Sequence, residues 1–412
     1  VAYLRILVLK KLNMLIGAGL VSLLTLSLVV CPKEGVEAAV SGLKVFWEIV
    51  FPSLLPFFVL SEIMLGMGVV HFIGVLLEPL MRPLFNVPGV GAFALSMGLA
   101  AGYPMDAVIT GKFRRSGMCT RIEGERLLSF TNTADPLFIF GAVAVGMFHR
   151  PDLGVVLGLA HYLSSFTVGF IFKFYERNDR EKKGRNEEVF QKGILRRAVR
   201  ALIKARQEDG RQIGRLMGEA VRESMMTLFM ICGFIMLFAV LVKILSVFGV
   251  LQFLTPAITW VLGIFGIQPQ LGNALFNGIL EIDLGTVAVS QAAAPLLDKV
   301  IIASWIIAWS GLSVHGQVAS VIQDTDIRMG PYMAGRFIHG LCAAWYTWLL
   351  MGPMKMVFAP MNRAVAVSKG FNPIDRIVLS GEQLLICFGI LLLGSLAVYY
   401  SRRFRVVITR KG

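Results

Sequence analysis

Apolar runs recur along the chain, and they are of two kinds. Those at 12–30, 153–174, 224–247 and 332–358 are predominantly apolar and approach or exceed the ~20 residues that cross a hydrocarbon core. Those at 95–148 and 275–322 are interrupted by Gly, Pro, Asn and carboxylates. A lipid-facing helix gains nothing from such residues. A backbone break at bilayer depth leaves N–H and C=O groups unpaired, which is tolerated only inside protein or beside a polar cavity. Two interrupted segments in corresponding positions of two halves point to a transporter's binding site.

Taken in order, the pattern predicts an N-terminal membrane helix (1–40) and a first transmembrane half (41–174). LVVC at 28–31 lacks the small residue a lipoprotein cleavage site needs before its Cys, so the first apolar run is expected to be retained. Residues 45–67, with Pro52, Pro56, Glu48 and Glu62, suit a kinked span. Residues 69–85 are expected to be interfacial or re-entrant. A hairpin at 90–148 follows, with arms at 90–110 and 127–148 and a hydrophilic tip at 112–126. Residues 175–215 form a basic insertion. Its second part places Ile194, Leu195, Ala198, Ala201, Leu202 and Ala205 at helical spacing among Arg and Lys, a pattern that suits a surface helix on anionic lipid or a solvated linker. The second half (216–360) carries a hairpin at 271–322, and a peripheral helix at 384–400 lies within a C-terminal segment (361–412). Placing LSMGLAAGYPMDA over LFNGILEIDLGT sets Gly98 on Gly278. The fold class expected is therefore an all-α polytopic membrane protein of two pseudo-repeats with re-entrant or broken helical hairpins.

Composition agrees: 56% of the 412 residues are hydrophobic and 16% charged, against ~25% charged in soluble domains, and mean hydropathy is +0.71. The net charge of +14 is concentrated at Arg5, Lys10 and Lys11, at 173–215 and at 402–411. This puts the N-terminus and the central insertion on the cytoplasmic side by the positive-inside rule. No binding motif or interleaved aromatics accompany the basic residues, so no nucleic-acid partner is expected. The five cysteines are scattered, with no CxxC and no His at ligand spacing, so neither a metal nor a disulfide framework is suggested. There is no P-loop, GxSxG elbow or HExxH helix, which argues against an enzyme, and no cofactor is implied.

The candidate chemistry sits at the interruptions. Gly102, Tyr103 and Pro104 would stop a helix and expose end amides that suit an anion, or merely kink it. Asn132, Thr133 and Asp135 gather amide, hydroxyl and carboxylate within one turn. A carboxylate in hydrocarbon costs at least ~2.5 kcal/mol, so Asp135 must be paired, protonated or in contact with a solute. Glu281 and Asp283 pose the same question. Residues two apart do not share a helix face, and Glu281, one turn from Asn277, is the better cavity residue. His315 is a packing residue or a proton carrier; Ser313 and Gln317 are expected beside it only if the helix unwinds at Gly316. Arg328 and Arg336 belong to a solvated loop or supply a cation that attracts an anionic solute. Asp135, Asp283, Arg328 and Arg336 are thus candidates for coupling or gating.

In GYPM, RLLSFTNTADPLFIFGAVAVGMF, NGILEIDLGT and SGLSVHGQVASVIQDTDIR, the chain resembles the sporulation integral membrane protein YlbJ (SpoVV) family, whose members carry the nucleoside-recognition Gate domain. The likeness covers about 43–358. It implies a fold distantly related to concentrative nucleoside transporters, and carriage of dipicolinic acid, a small organic anion, from the mother cell across the outer forespore membrane. Candidate partners are that solute, the lipid bilayer, a second copy of the chain and other sporulation membrane proteins. Asp106 and Asp135 stand where the family pattern would have Gly and a Ser-Gly-Pro turn. If both face the cavity they repel a dianion. A nucleoside-type solute and a non-transporting scaffold built on the basic insertion are the alternatives.

Overall fold

The computed structural model describes residues 15, 18–19, 21–176, 193–352 and 389–400. The basic residues Arg5, Lys10 and Lys11, residues 177–192, the end of the expected span at 353–358, the flanking Arg363, Lys369 and Arg376, Cys387 and the basic tail all lie outside the described residues. Those described are helical, with no strand among them.

The apolar run at the N-terminus ends in α1 (Val21–Val30). Helix α2 (Pro32–Val45) follows, started by Pro32, whose missing N–H costs nothing in a first turn. A π-helical turn (Phe46–Val50) leads into α3 (Phe51–Gly66). Residues 54–66 of α3 and α4 (Val69–Phe85) form a bent pair turning through 84°, the geometry of one broken span or of a re-entrant loop. Gly68 makes this corner at φ 79°, with the Leu202 carbonyl of α9 (Ile194–Asp209) where a Cβ would lie. Helix α9, the second part of the basic insertion, therefore packs on the corner. Ile194, Ala198 and Ala205 are buried, whereas Leu195 faces outward with Val199 and Ile203.

The first interrupted segment is two broken helices. Helices α5 (Gly91–Ala101) and α6 (Met105–Arg115) are separated at Gly102–Pro104. Helix α7 (Arg121–Thr131) and the π-helical segment Leu137–Met147 are separated at Asn132–Pro136. Helix α7 begins earlier than the expected arm because Thr120 and Glu123 form a reciprocal capping box. Helix α8 (Leu153–Phe172) closes this half. After α10 (Ile213–Val247) and α11 (Val250–Ile264) the order recurs: α12 (Gly272–Leu280) breaks from α13 (Ile282–Gln291) at Glu281. Helix α14 (Leu296–Trp309) breaks from α15 (Gly311–Ile322) at Ser310, and α16 (Met329–Met351) follows. A final α17 (Gly389–Tyr400) is apolar and short. By length and composition α8, α10 and the stretch Leu296–Ile322 can each cross a bilayer, and the bent pair α3–α4 adds a fourth when taken as one span.

Helix α15 is regular through Gly316, so the expected unwinding is not there; the break is at Ser310. Ser313 and Gln317 share a face all the same, because four residues is one helical turn.

The ends of these helices meet in an ionic layer. Arg126, 1% exposed, donates to the carbonyls of Tyr175, Glu176 and Asn86, the chain ends of α8 and α4. Arg82 pairs with Glu78 and Glu123, and Lys112 with Glu62 and Glu223. Arg115 reaches Asp324 at 2.7 Å, and Arg114 grips Asp326 with two hydrogen bonds of 2.7 Å, tying the α6–α7 tip to the α15–α16 loop.

The Arg114 guanidinium holds the Asp326 carboxyl below its ordinary range. With the folded-state pKa below the unfolded value of about 3.9, the pair contributes at neutral pH, and that contribution vanishes as the pH falls below about 4. Asp326 is half-exposed, so Asp326→Asn should cost no more than about 1 kcal/mol at pH 7 and less at pH 3, as the carboxyl begins to protonate. Thermal unfolding of the purified protein at the two pH values checks this; an equal loss at both contradicts it.

Candidate functional site

The break in the first pair is dictated by Pro136. In a continuous helix the Asn132 carbonyl would accept from the N–H of residue 136, and proline has none. The chain turns extended at Asn132, leaving polar side chains and an orphan carbonyl in the protein interior. The Asn132 side chain donates to Asp106 Oδ1 at 2.8 Å and accepts from the Tyr332 hydroxyl at 3.2 Å, while Thr131 donates to Asp106 Oδ2 at 3.0 Å. Asp106 itself is fully buried in the first turn of α6, where the helix dipole favours a negative charge. Asp135 accepts from the Phe138 N–H at 2.9 Å and so caps the π-helical segment. Gly102, at φ 75°, lies against Asp135, with Oδ2 2.8 Å from where a Cβ would be. The two breaks of this half therefore touch.

In the second half, Glu281 is the N-cap of α13, accepting from the Leu284 N–H at 2.8 Å, while its own N–H donates to the Asn277 carbonyl at 2.7 Å. Ser310 and Gly311 both have positive φ, 72° and 76°, and a Cβ on Gly311 would lie 3.1 Å from the Glu281 backbone. Here too the two breaks meet. Asp283, two residues beyond Glu281, is within electrostatic reach of Asp135 at the first pair of breaks.

Of the last four carbonyls of α14, the first keeps a helical bond at the C-cap and the other three find partners elsewhere. Ile306 accepts from the Ser310 N–H at 2.8 Å and Trp309 from the Ser310 hydroxyl at 2.5 Å. Ile307 accepts from the Tyr103 hydroxyl at 2.5 Å, and Ala308 from Arg336. Tyr103 comes from the first half's break, and Arg336 from α16. The second amino group of Arg336 donates to the Asn132 carbonyl. One guanidinium thus bridges the C-terminal ends of α7 and α14, with its carbon 5.7 Å from the centre of the Tyr103 ring.

The tautomers of the neighbouring histidines follow from their partners. A carbonyl can only accept, so His339 donates from Nε2 to the His161 carbonyl at 2.9 Å, and its Nδ1 accepts from Arg336 at 2.9 Å. His161 Nε2 accepts from the Ala134 N–H at 3.0 Å, which leaves the proton on Nδ1. His315 donates from Nδ1 to the Gly311 carbonyl at 2.6 Å, so its Nε2 is an acceptor. Its ring lies 4.3 Å from that of Trp309 and 5.2 Å from that of Tyr332.

Several buried polar atoms around this centre have no partner among the described residues: Arg336 Nε, His161 Nδ1, His315 Nε2 and Asn277 Oδ1. The first two donate and the last two accept. Since interior polar groups are normally paired, this mixed set, in an aromatic lining, is suited to a small polar solute with a flat ring.

Of the residues singled out by sequence, Gly102, Tyr103, Pro104, Asn132, Thr133, Asp135 and Arg336 lie at or on the first break. Asn277, Glu281, Asp283, Ser313, His315 and Gln317 lie at or beside the second. Arg328 is elsewhere, half-exposed in the ionic layer, bonded to Glu125, Glu176 and the Tyr175 hydroxyl. Those carboxylates raise Arg328 above its ordinary value, Arg328 in turn lowers Glu176, and burial with the Glu125 carboxylate pushes Tyr175 up to about 12. Sequence reasoning did not single out Tyr332 and His339. Both sit within one turn of Arg336, at spacings that share its helix face. His161 had only its isolation in an apolar helix as a signal. A cavity of about 260 Å³ between α4 and α9, lined by His71, Glu78, Arg82 and Arg197 among others, shares no residue with the breaks. No group of three or more metal-binding side chains is found among the described residues.

Comparison with known proteins bears on the whole arrangement. The Gate family, described as nucleoside recognition, matches residues 47–171, which hold the first pair of broken helices. No solved structure matches the chain. The sporulation integral membrane protein YlbJ of Bacillus subtilis (strain 168) is 41% identical over 381 residues, covering 92% of this chain and 93% of its own length. At that identity and coverage the chain belongs to the YlbJ family of sporulation integral membrane proteins.

Proposed function

We propose that this protein is a secondary transporter acting in spore formation, that its substrate is a small planar organic anion, dipicolinate, and that the path runs from the mother cell across the outer forespore membrane. The observation that carries the reading is the set of unpartnered buried donors and acceptors where both pairs of broken helices meet, among the rings of Tyr103, Trp309, His315 and Tyr332. Arg336 Nε–H and His161 Nδ1–H supply donors for carboxylate oxygens, and the rings offer faces to a pyridine. The relative's printed name supports the sporulation setting.

The same reading makes the chain two pseudo-repeats resembling the concentrative nucleoside transporter fold, rocking about this centre to give alternating access. Its support is the matched order of breaks, and the Gly98–Gly278 correspondence. A Cβ on Gly98 would collide with the Thr131 carbonyl of α7, and one on Gly278 with Ile306 of α14, so each glycine lets the first broken helix of its half cross the second closely. The N-terminus and the basic insertion then face the mother-cell cytoplasm.

A specific observation favours a second solute. His315 Nε2 and Asn277 Oδ1 are acceptors without donors, and a dianion has no hydrogen to give them, whereas a nucleoside does. Uptake of labelled dipicolinate and labelled uridine into proteoliposomes separates the two. Saturable dipicolinate uptake is expected; saturable uridine uptake with none of dipicolinate contradicts the choice of substrate.

Asn132→Ala leaves the Asp106 carboxylate and Tyr332 hydroxyl each short of a partner, a loss of ~1–3 kcal/mol. Uptake should fall by about fivefold to 150-fold by that arithmetic, while Asp326→Asn, in the ionic layer, leaves it unchanged. Equal uptake by wild type and Asn132→Ala removes Asn132 from the path.

A further inference from the structure

Carbonyls freed where a membrane helix unwinds are the groups with which broken-helix transporters hold a coupling sodium or proton. Here the Asn132 carbonyl, freed because Pro136 cannot donate, and the Ala308 carbonyl, freed at the end of α14, are both occupied by one guanidinium. Linked to it through Asn132 are the other oxygens a hard cation would take: the Asp106 carboxylate, within electrostatic reach of Arg336, which accepts from the Thr131 hydroxyl and the Asn132 side chain, and the Asn132 amide oxygen, which accepts from the Tyr332 hydroxyl. All of these residues are fully buried. A set of carbonyl, hydroxyl and carboxylate oxygens is the donor set of a Group 1 or Group 2 ion, yet the positive charge present is the protein's own.

We propose that Arg336 is a tethered cation standing in a sodium-type site between the two halves, so that the carrier draws on no sodium ion at this position. The meaning of the inference rests on the transport reading, but the site and its occupancy do not. Three features beyond charge fit the assignment. The two carbonyls come from different halves, so the guanidinium does what a bound coupling ion would do, joining the halves in one arrangement. A third bond, from the amino group that reaches Asn132, goes to His339 Nδ1 at 2.9 Å and holds the fork in register. The ring of Tyr103 lies 5.7 Å from the guanidinium carbon and its hydroxyl takes the adjacent Ile307 carbonyl, so the carbonyl row of α14 is completed without a free ion. A lysine keeps the charge but reaches the two carbonyls as a point rather than a fork, whereas alanine or glutamine leaves the oxygens and removes the charge.

Thermal unfolding of the full chain in lipid nanodiscs tests this without reference to any solute. Wild type should unfold at the same temperature in sodium, potassium or choline chloride at equal ionic strength. Arg336→Ala should unfold several degrees lower in choline, and sodium at up to about 100 mM should raise its midpoint saturably, as a ligand bound only to the folded state does. Methylguanidinium at low millimolar concentration should do the same. Arg336→Lys should remain insensitive to sodium. If Arg336→Ala does not fold, Arg336→Gln, close in volume, carries the same comparison. A saturable sodium shift in wild type, or a folded Ala or Gln variant that responds to neither sodium nor methylguanidinium, overturns the proposal. Because the readout is stability, such a failure leaves the transport reading standing, and loss of uptake elsewhere leaves this result standing.

Discussion

Every helix end inside a bilayer must find partners for the backbone groups it exposes, because no water is there to take them. Among the described residues this chain breaks four helices in its interior, at Gly102–Pro104, Asn132–Pro136, Glu281 and Ser310, and the rest of the structure answers that demand. Helix C-termini carry partial negative charge and their N-termini partial positive charge. The protein meets the first with Arg336, across Asn132 and Ala308, and the second with its own acids: Asp106 in the first turn of α6, Asp135 at the π-helical segment and Glu281 at α13. These buried ionisable groups are accommodated because each lies at a helix end whose partial charge and free backbone groups it meets.

That arrangement changes what the acidic residues mean. Asp106 and Asp135, taken as cavity lining, count against an anionic solute. Asp106, in the first turn of α6 and hydrogen-bonded to Asn132 and Thr131, and Asp135, bonded to the Phe138 N–H, already have partners at helix N-termini, which reduces their repulsion of an anion. The donors left over, on Arg336 and His161, and the acceptors left over, on His315 and Asn277, are then the atoms that, on the proposed transport reading, would recognise the solute. The ionic layer solves the same problem at the helix exits: buried Arg126 takes the terminal carbonyls of α4 and α8 as Arg336 does deeper in the fold.

The interruptions were legible in the sequence because Gly, Pro, Asn and carboxylates are costly in a lipid-facing helix, so their presence at 102–104, 132–136 and 277–283 signals breaks directly. The break at Ser310 was not, since a serine entering positive φ before Gly311 carries no such penalty on paper; Gly316, two turns on, was the more visible glycine and proved to lie within regular helix. Thr120 and Glu123 carried a capping box that would have placed the start of α7 correctly. Arg336 was visible only as one of several charges near 324–336. That it turns inward while Arg328 turns to Glu125 and Glu176 depends on three-dimensional neighbours, Tyr103 and Asn132 among them, that lie far away in the chain.

If the four breaks line a path for solute, a position on that path must be reachable from water and shielded when solute is bound. With the native cysteines replaced, Asn277→Cys can be challenged in sealed vesicles with a membrane-impermeant thiol reagent, with and without dipicolinate. The expected result is modification from the aqueous phase that saturating dipicolinate suppresses. A cysteine at 277 that stays unmodified from both faces of the membrane, or one modified at the same rate whatever solute is present, would contradict the account.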